Sequence, residues 1–196
     1  KTLPFGSREY SKFKFTGLDI EQLPDYSIKI NQGRYVHKIS PIDISKLRRK
    51  DEQSPITSQE MTQLRGLCGS LQYAAVHSRP DIATKVANLQ KGITSATVGT
   101  LLEGNRVLKE AQQFAETSII VRPIPINDVC FASFGDASFA SAKQLSAQQG
   151  LFIMACTPKL SVNETSEFSP IVWHSKQIGR VVRSTLRDRK STRLNS

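Results

Sequence analysis

One carboxylate stands inside the apolar run CFASFGDASFAS (130–141): Asp136, set among Phe131, Phe134, Ala137 and Phe139 with no basic residue in the run. An unpaired charge in a buried strand is costly, so Asp136 is either a metal ligand or a structural acid accepting backbone hydrogen bonds at a strand end. A divalent cation such as Mg²⁺ takes oxygen ligands, which raises the question of what other acids could join it. Glu164 and Glu167 fall in a polar connection between strands, and the only acid after them is Asp188.

A second chemical signal is positive charge. The chain carries 27 Lys and Arg against 17 Asp and Glu, a net charge of +10 and a pI near 9.7. Such an excess favours a polyanionic partner, nucleic acid above all, or else a generic basic surface. Its densest cluster is KLRRK, with Lys46, Arg48, Arg49 and Lys50. That cluster is either a grip on phosphates, which positions nucleic acid without reading sequence, or a solvated loop. Arg79, just before Pro80 and Asp81, reads as a local cap or an ion pair with Asp81 ahead of a nucleic-acid contact. Trp173 reads as strand packing and His174 as a surface imidazole, while His37 and His77 have no Cys or His at metal-binding spacing. Cys68, Cys130 and Cys156 are odd in number and far apart, with neither zinc spacing nor a disulfide framework, which points to a reducing compartment. NETS (163–166) contains a glycosylation sequon, but nothing else suggests secretion. No apolar run approaches the length of a membrane span.

These residues need elements to hold them. FKFTGLDIEQ (13–22) alternates apolar and polar residues as a half-buried strand does, LPDYS (23–27) is a turn, and SIKINQ (27–32) alternates again, predicting a hairpin over 13–32. A polar stretch, ISPIDISKLRRKDEQSP, follows. Three amphipathic helices come next. The first starts at Thr57 or Ser58 and turns Met61, Leu64, Leu67, Cys68, Leu71 and Ala75 to one face. Pro80 opens the second, with Ile82, Val86, Leu89 and Ile93. The third carries Leu101, Leu102, Val107, Leu108, Ala111 and Phe114. Beyond a boundary near 118–126 the segments 129–141, 149–158 and 169–177 read as three strands of an antiparallel meander.

Several of these segments, taken in order, carry a resemblance. RGLCGSLQYAAVHSRPDIATKVANL (65–89) resembles the segment after the polymerase site of copia-type LTR retrotransposon Pol polyproteins, where a Gly-Ser-Leu helix leads into Arg-Pro-Asp-Ile. FKFTGLDIEQ and SIKINQGRYV are similar to that family's Leu-Gly-Ile-Glu-Ile hairpin and Gln-x-x-Tyr-Val segment. GDASFAS, QQGLFIMA and IVWHSKQIGRVVRST are similar to the opening strands of its RNase H domain. The order and spacing agree over about residues 13–186.

The resemblance implies an α+β fold: a hairpin and a three-helix thumb/connection region, then a truncated RNase H-like sheet of its first three strands. It divides the chain into the end of the reverse transcriptase palm and a basic linker (1–56), a helical thumb/connection (57–118), a truncated RNase H-like domain (119–186) and a tail (187–196). Within the tail, DRKSTRLNS (188–196) resembles the translation of a sequencing adapter. Without those nine residues the charge falls to +8, three basic residues and one acid fewer. The amino end reads as an internal cut. In the intact parent, Mg²⁺ ions held by carboxylates would serve nucleotidyl transfer and RNA–DNA hybrid hydrolysis, and Asp136 matches the first RNase H carboxylate. The pattern departs at Ser138, where a second Asp is usual, and after Ser184, Thr185 and Leu186, where a Glu-bearing helix is expected. The Tyr-x-Asp-Asp hairpin of the polymerase is missing too. The chain by itself is therefore expected to do neither reaction and to hold no Mg²⁺ stably. The implied partners are an RNA–DNA hybrid or template–primer duplex and the rest of the polyprotein, with no membrane, in a cytoplasmic particle or the nucleus. Two other readings stay open: a non-catalytic nucleic-acid-binding remnant of such an element, and an unrelated basic α/β protein with a structural Asp136. An incomplete sheet should also expose an apolar patch.

Overall fold

The computed structural model describes residues 10–138 and 148–178. The tail at 187–196, the Ser184–Leu186 motif and the end of the expected strand at 129–141 lie outside them. The described chain is a mixed α+β structure: a four-stranded antiparallel sheet, a group of helices and a three-stranded antiparallel sheet.

Residues 13–22 are not one strand. Thr16 and Gly17 both take positive φ, 46° and 85°, which is the backbone of the two-residue turn that matches strand twist. The chain folds back there, giving β1 (Lys12–Phe15) and β2 (Leu18–Gln22) in place of the single strand expected. Glycine supplies the second position without strain, and the Tyr73 hydroxyl holds the Thr16 carbonyl. The LPDYS turn is present as read, with Asp25 accepting from the Ser27 amide and hydroxyl at 3.0 Å each. It leads into β3 (Ile28–Asn31), and β4 (Ser118–Val121) pairs with β3 from far along the chain. The expected hairpin is thus a sheet in the order β1-β2-β3-β4. Its polar face alternates charge across strands, Lys12 opposite Glu21 opposite Lys29 and Lys14 opposite Asp19, an arrangement that stabilises antiparallel pairs.

A short helix α1 (Gly33–His37) precedes the stretch read as polar. That stretch contributes Ile42 and Ile44, 5% and 2% exposed, to the core. The side-chain amide of Asn105 pins it, accepting from the Ile42 amide and donating to its carbonyl at 2.8 Å each.

Helix α2 (Ser58–His77) starts at a capping box: the Glu60 amide donates to Thr57 Oγ1 at 3.2 Å and the Thr57 amide to Glu60 Oε2 at 2.7 Å. Its expected apolar face is buried apart from Met61, which is partly covered. Pro80 opens a 3₁₀ turn (Pro80–Ile82) that runs into α3 (Ala83–Lys91), and α4 (Val98–Gln113) follows. Leu64, Leu71, Ile82, Val86, Val98, Leu101 and Leu108 are sealed between the helices. Gly104 lets α4 approach α2 closely, since a Cβ there would sit 3.2 Å from Leu67. Phe114, expected on the buried face, is 53% exposed, because α4 ends at Gln113 and the chain turns away before it.

The second sheet contains β5 (Cys130–Ser138), β6 (Gln148–Cys156) and β7 (Phe168–Gln177) in that order. The three expected strands are present, with a bulge in the β6–β7 pairing at Ile153/Met154. One face, with Met154, Cys156 and Trp173, turns towards the helices, and Trp173 Nε1 donates to the Ala75 carbonyl at 2.7 Å. The opposite face leaves Phe131 72% and Val172 42% exposed, so this sheet shows solvent the apolar surface expected of it.

Arg79 is 1% exposed, and each of its guanidinium nitrogens donates a hydrogen bond. Nε and Nη2 donate to the two oxygens of Asp81 at 2.9 and 2.7 Å, and Nη1 donates to the Ala111 carbonyl at 2.8 Å. The local ion pair expected at Arg79-Pro80-Asp81 is therefore present, and it also ties the end of α2 to the end of α4. Arg79→Met should lower unfolding stability by about 2 kcal/mol, since it strands a buried carbonyl while the exposed Asp81 regains water. Arg79→Lys should restore less than half of that, lacking the planar fork. Urea unfolding of the three proteins checks both.

Candidate nucleic-acid interface and the surroundings of Asp136

The four residues of the KLRRK cluster do not act alike. They lie at and just before a 3₁₀ turn (Arg48–Lys50). Arg48 reaches back to α2: Nη2 lies 2.7 Å from Glu60 Oε2, Nε 3.3 Å from Oε1, and Nη2 also donates to the Pro55 carbonyl at 3.1 Å. The Glu60 carboxylate that closes the capping box is thus the one that neutralises Arg48. Arg49 Nε donates to the Ile44 carbonyl at 2.8 Å while the residue stays exposed. Lys46 and Lys50 are exposed. The cluster, read as either a phosphate grip or a solvated loop, therefore holds a structural strut, Arg48, beside three accessible cations: Lys46, Arg49 and Lys50.

Other positive residues are arranged for pairing. On the polar face of the first sheet a hollow of about 470 Å³ is lined by Lys12, Lys14, Lys29 and Arg34 together with Asp19, Glu21 and Glu116. Arg34 is bound to Asp19 and Lys12 to Glu21. The Arg34 hydrogen bond holds the Asp19 carboxyl below its usual range. This face sets four cations against three acids, with Lys12 and Arg34 in ion pairs. A different groove, about 410 Å³, runs between α2 and the segment after α1, lined by Tyr35, Ile39, Pro41 and Leu67 as well as Lys38 and Gln63. Gly66 has open space where a side chain would stand, so the α2 backbone is approachable there. Helical periodicity alone does not show that this bare position faces a groove with a lysine on its wall.

Asp136 lies on β5 opposite Gly150 of β6 and is exposed. Its Oδ1 accepts from the Ala137 amide at 2.8 Å, the local backbone contact of a structural acid at a strand end. It shares a groove of about 590 Å³ with Phe134, Phe152, Trp173, Ser175 and, from the start of α3, Thr84. Among the described residues no three His, Cys, Asp or Glu side chains gather as metal ligands. Glu164 and Glu167 stay exposed in the connection between β6 and β7. Among the described residues Asp136 is the one carboxylate in this groove, which is short of the several that a two-metal centre needs.

His174, on the face of β7 turned away from the helices, is half-buried. Burial, helped by Lys176, pushes its imidazole below the ordinary value, so it is neutral at neutral pH. No described helix is long and apolar enough to cross a membrane. The chain matches no family model, no curated protein and no solved structure.

The Arg48–Glu60 contact has a pH signature. The Thr57 amide and Arg48 hold the Glu60 carboxyl below its ordinary value. A depressed carboxyl stabilises the fold above its unfolded pKa, about 4.3, and that stability is lost as pH falls through the folded value. Glu60→Gln should therefore be clearly less stable than the parent at pH 6, with the gap closing towards pH 3, in unfolding curves taken across that range. At pH 7 Arg48→Gln should lose about 1 kcal/mol, and Lys46→Gln and Lys50→Gln less than about 0.5 kcal/mol.

Proposed function

We propose that this chain is a segment of a copia-type retrotransposon Pol polyprotein, running from the end of the reverse transcriptase palm through the thumb/connection helices into the RNase H domain. We further propose that by itself it holds nucleic acid without extending or cutting it. The observation that carries the reading is the placement of Asp136 on the first strand of an antiparallel β5-β6-β7 meander that follows a helical unit. That is the order of parts the motif resemblance implies, and the segment most specific to it, Arg79-Pro80-Asp81-Ile82, is built into a buried corner.

The same surroundings favour binding over catalysis. Hybrid-strand hydrolysis uses metal ions to activate water and to stabilise the leaving oxygen. Asp136, with one backbone contact and no companion carboxylate among the described residues, does not assemble that site. No step of a reaction is therefore assigned to it. What remains is a basic chain with Lys46, Arg49 and Lys50 accessible. Such a surface suits an RNA–DNA hybrid or template–primer duplex, which proteins grip by shape through phosphates and 2′-hydroxyls.

Binding to a labelled RNA–DNA hybrid should weaken steeply from 50 to 200 mM salt, with no requirement for Mg²⁺. The triple change Lys46→Gln, Arg49→Gln, Lys50→Gln should lower affinity about tenfold and flatten the salt slope by about two to three. Arg48→Gln, by contrast, should act on stability. Hybrid cleavage in Mg²⁺ that disappears with Asp136→Asn would overturn the non-catalytic reading. Absence of binding at 50 mM salt would overturn the nucleic-acid reading altogether.

A further inference from the structure

The register of the second sheet brings together two residues that are 26 positions apart in sequence. Cys130, the first residue of β5, lies directly opposite Cys156, the last residue of β6. Directly opposed residues of an antiparallel pair have Cα atoms about 4.5 or 5.5 Å apart, and both values fall within the 4.4–6.8 Å range that a disulfide spans. Opposed residues also project from the same face of the sheet, so the two thiols share one side of the hairpin base. Both are free thiols here; Cys156 is 2% exposed and Cys130 is only half-buried.

We propose that Cys130 and Cys156 are a reversible redox site, forming a disulfide that staples the open end of the β5–β6 hairpin when the chain meets a low-molecular-weight disulfide. Cys130, the more accessible of the pair, reacts first. Its thiolate attacks one sulfur of the reagent, a protein–reagent mixed disulfide forms, and one small thiolate leaves. The Cys156 thiolate then attacks the Cys130 sulfur, closing the protein disulfide and expelling the second small thiolate. The two protein thiols lose two electrons, the reagent is reduced to two thiols, and the two protons end on those thiols. Dithiols reverse the sequence.

The third cysteine is a built-in control. Cys68 lies inside α2, 2% exposed, among the core leucines. Burial pushes its thiol up, away from the reactive thiolate. The pair also sits at the far end of β5 from Asp136, so the site is separate from the groove discussed above and does not depend on the proposed function.

The full chain, reduced and desalted, is equilibrated with oxidised glutathione, then alkylated under denaturing conditions and analysed by intact mass and non-reducing peptide mapping. The expected product is a monomer that has lost two hydrogens, keeps one alkylatable thiol out of three and yields a Cys130–Cys156 linked peptide. Closing a loop of this length should raise the melting temperature by roughly 5–10 °C, reversed by dithiothreitol. Cys156→Ser should abolish the shift and trap glutathione on Cys130. Cys130→Ala, at the less buried position, gives the same test of the shift if Cys156→Ser fails to fold. Three alkylatable thiols after oxidation, a linkage through Cys68, or a disulfide-linked dimer would overturn the proposal.

Discussion

The carboxyl end of α2 is where the molecule is tied together, and the tie is a buried guanidinium. Arg79 has five N–H donors and no possibility of shedding its charge, so burying it requires oxygen on several sides. Asp81 supplies two of those oxygens from the next turn of chain and the Ala111 carbonyl supplies a third from the end of α4. Around this corner the other units attach within a few residues. Ser78 donates to buried Gln32 at 2.8 Å, next to the start of α1 and the end of β3. Trp173 of β7 donates to Ala75. Both sheets and the helices thus share one junction, and polar bonds with strict geometry set their relative placement more narrowly than apolar contact would.

Charges elsewhere divide by whether the structure employs them. Arg48 and Arg49 are neighbours of like type, yet the first is taken up by Glu60 and the second keeps one nitrogen on a carbonyl while remaining exposed. On the first sheet, alternation places Lys12, Glu21 and Lys29 side by side across three strands. Among the described residues seven cations are held in ion pairs, so net charge alone does not say which cations face a polyanion. The reverse holds for Asp136. An acid inside an apolar run suggested a buried charge in need of a partner, whereas the strand turns it into an open groove where water solvates it.

Local signals in the chain were legible where a single element decides them. The Thr57–Glu60 box, the apolar periodicity of α2 and α3, the Asp25 turn and the three strands of the second sheet all follow from spacings of two to four residues. The misreadings have separate causes. In residues 13–22 the apolar positions change phase, from Phe13 and Phe15 to Leu18 and Ile20, and the reversal at Thr16-Gly17 lies in that change. Ile42 and Ile44 look like members of a polar loop until Asn105, more than sixty residues later, fastens that loop over the core. Phe114 continues the periodicity of α4 one residue past its end.

The sequence by itself determined the long helices, the strands of the second sheet, the excess of positive charge and the order of motifs on which the proposed function rests, because each is written in adjacent or near-adjacent residues. Only the tertiary structure decided which charges are free, that β4 returns to complete the first sheet, that Asp136 stands without companion acids among the described residues, and that Cys130 faces Cys156. Those outcomes depend on strand register and on which distant groups satisfy a buried donor or acceptor. Register shifted by one residue turns every side chain to the other face, and no local spacing in the chain records it.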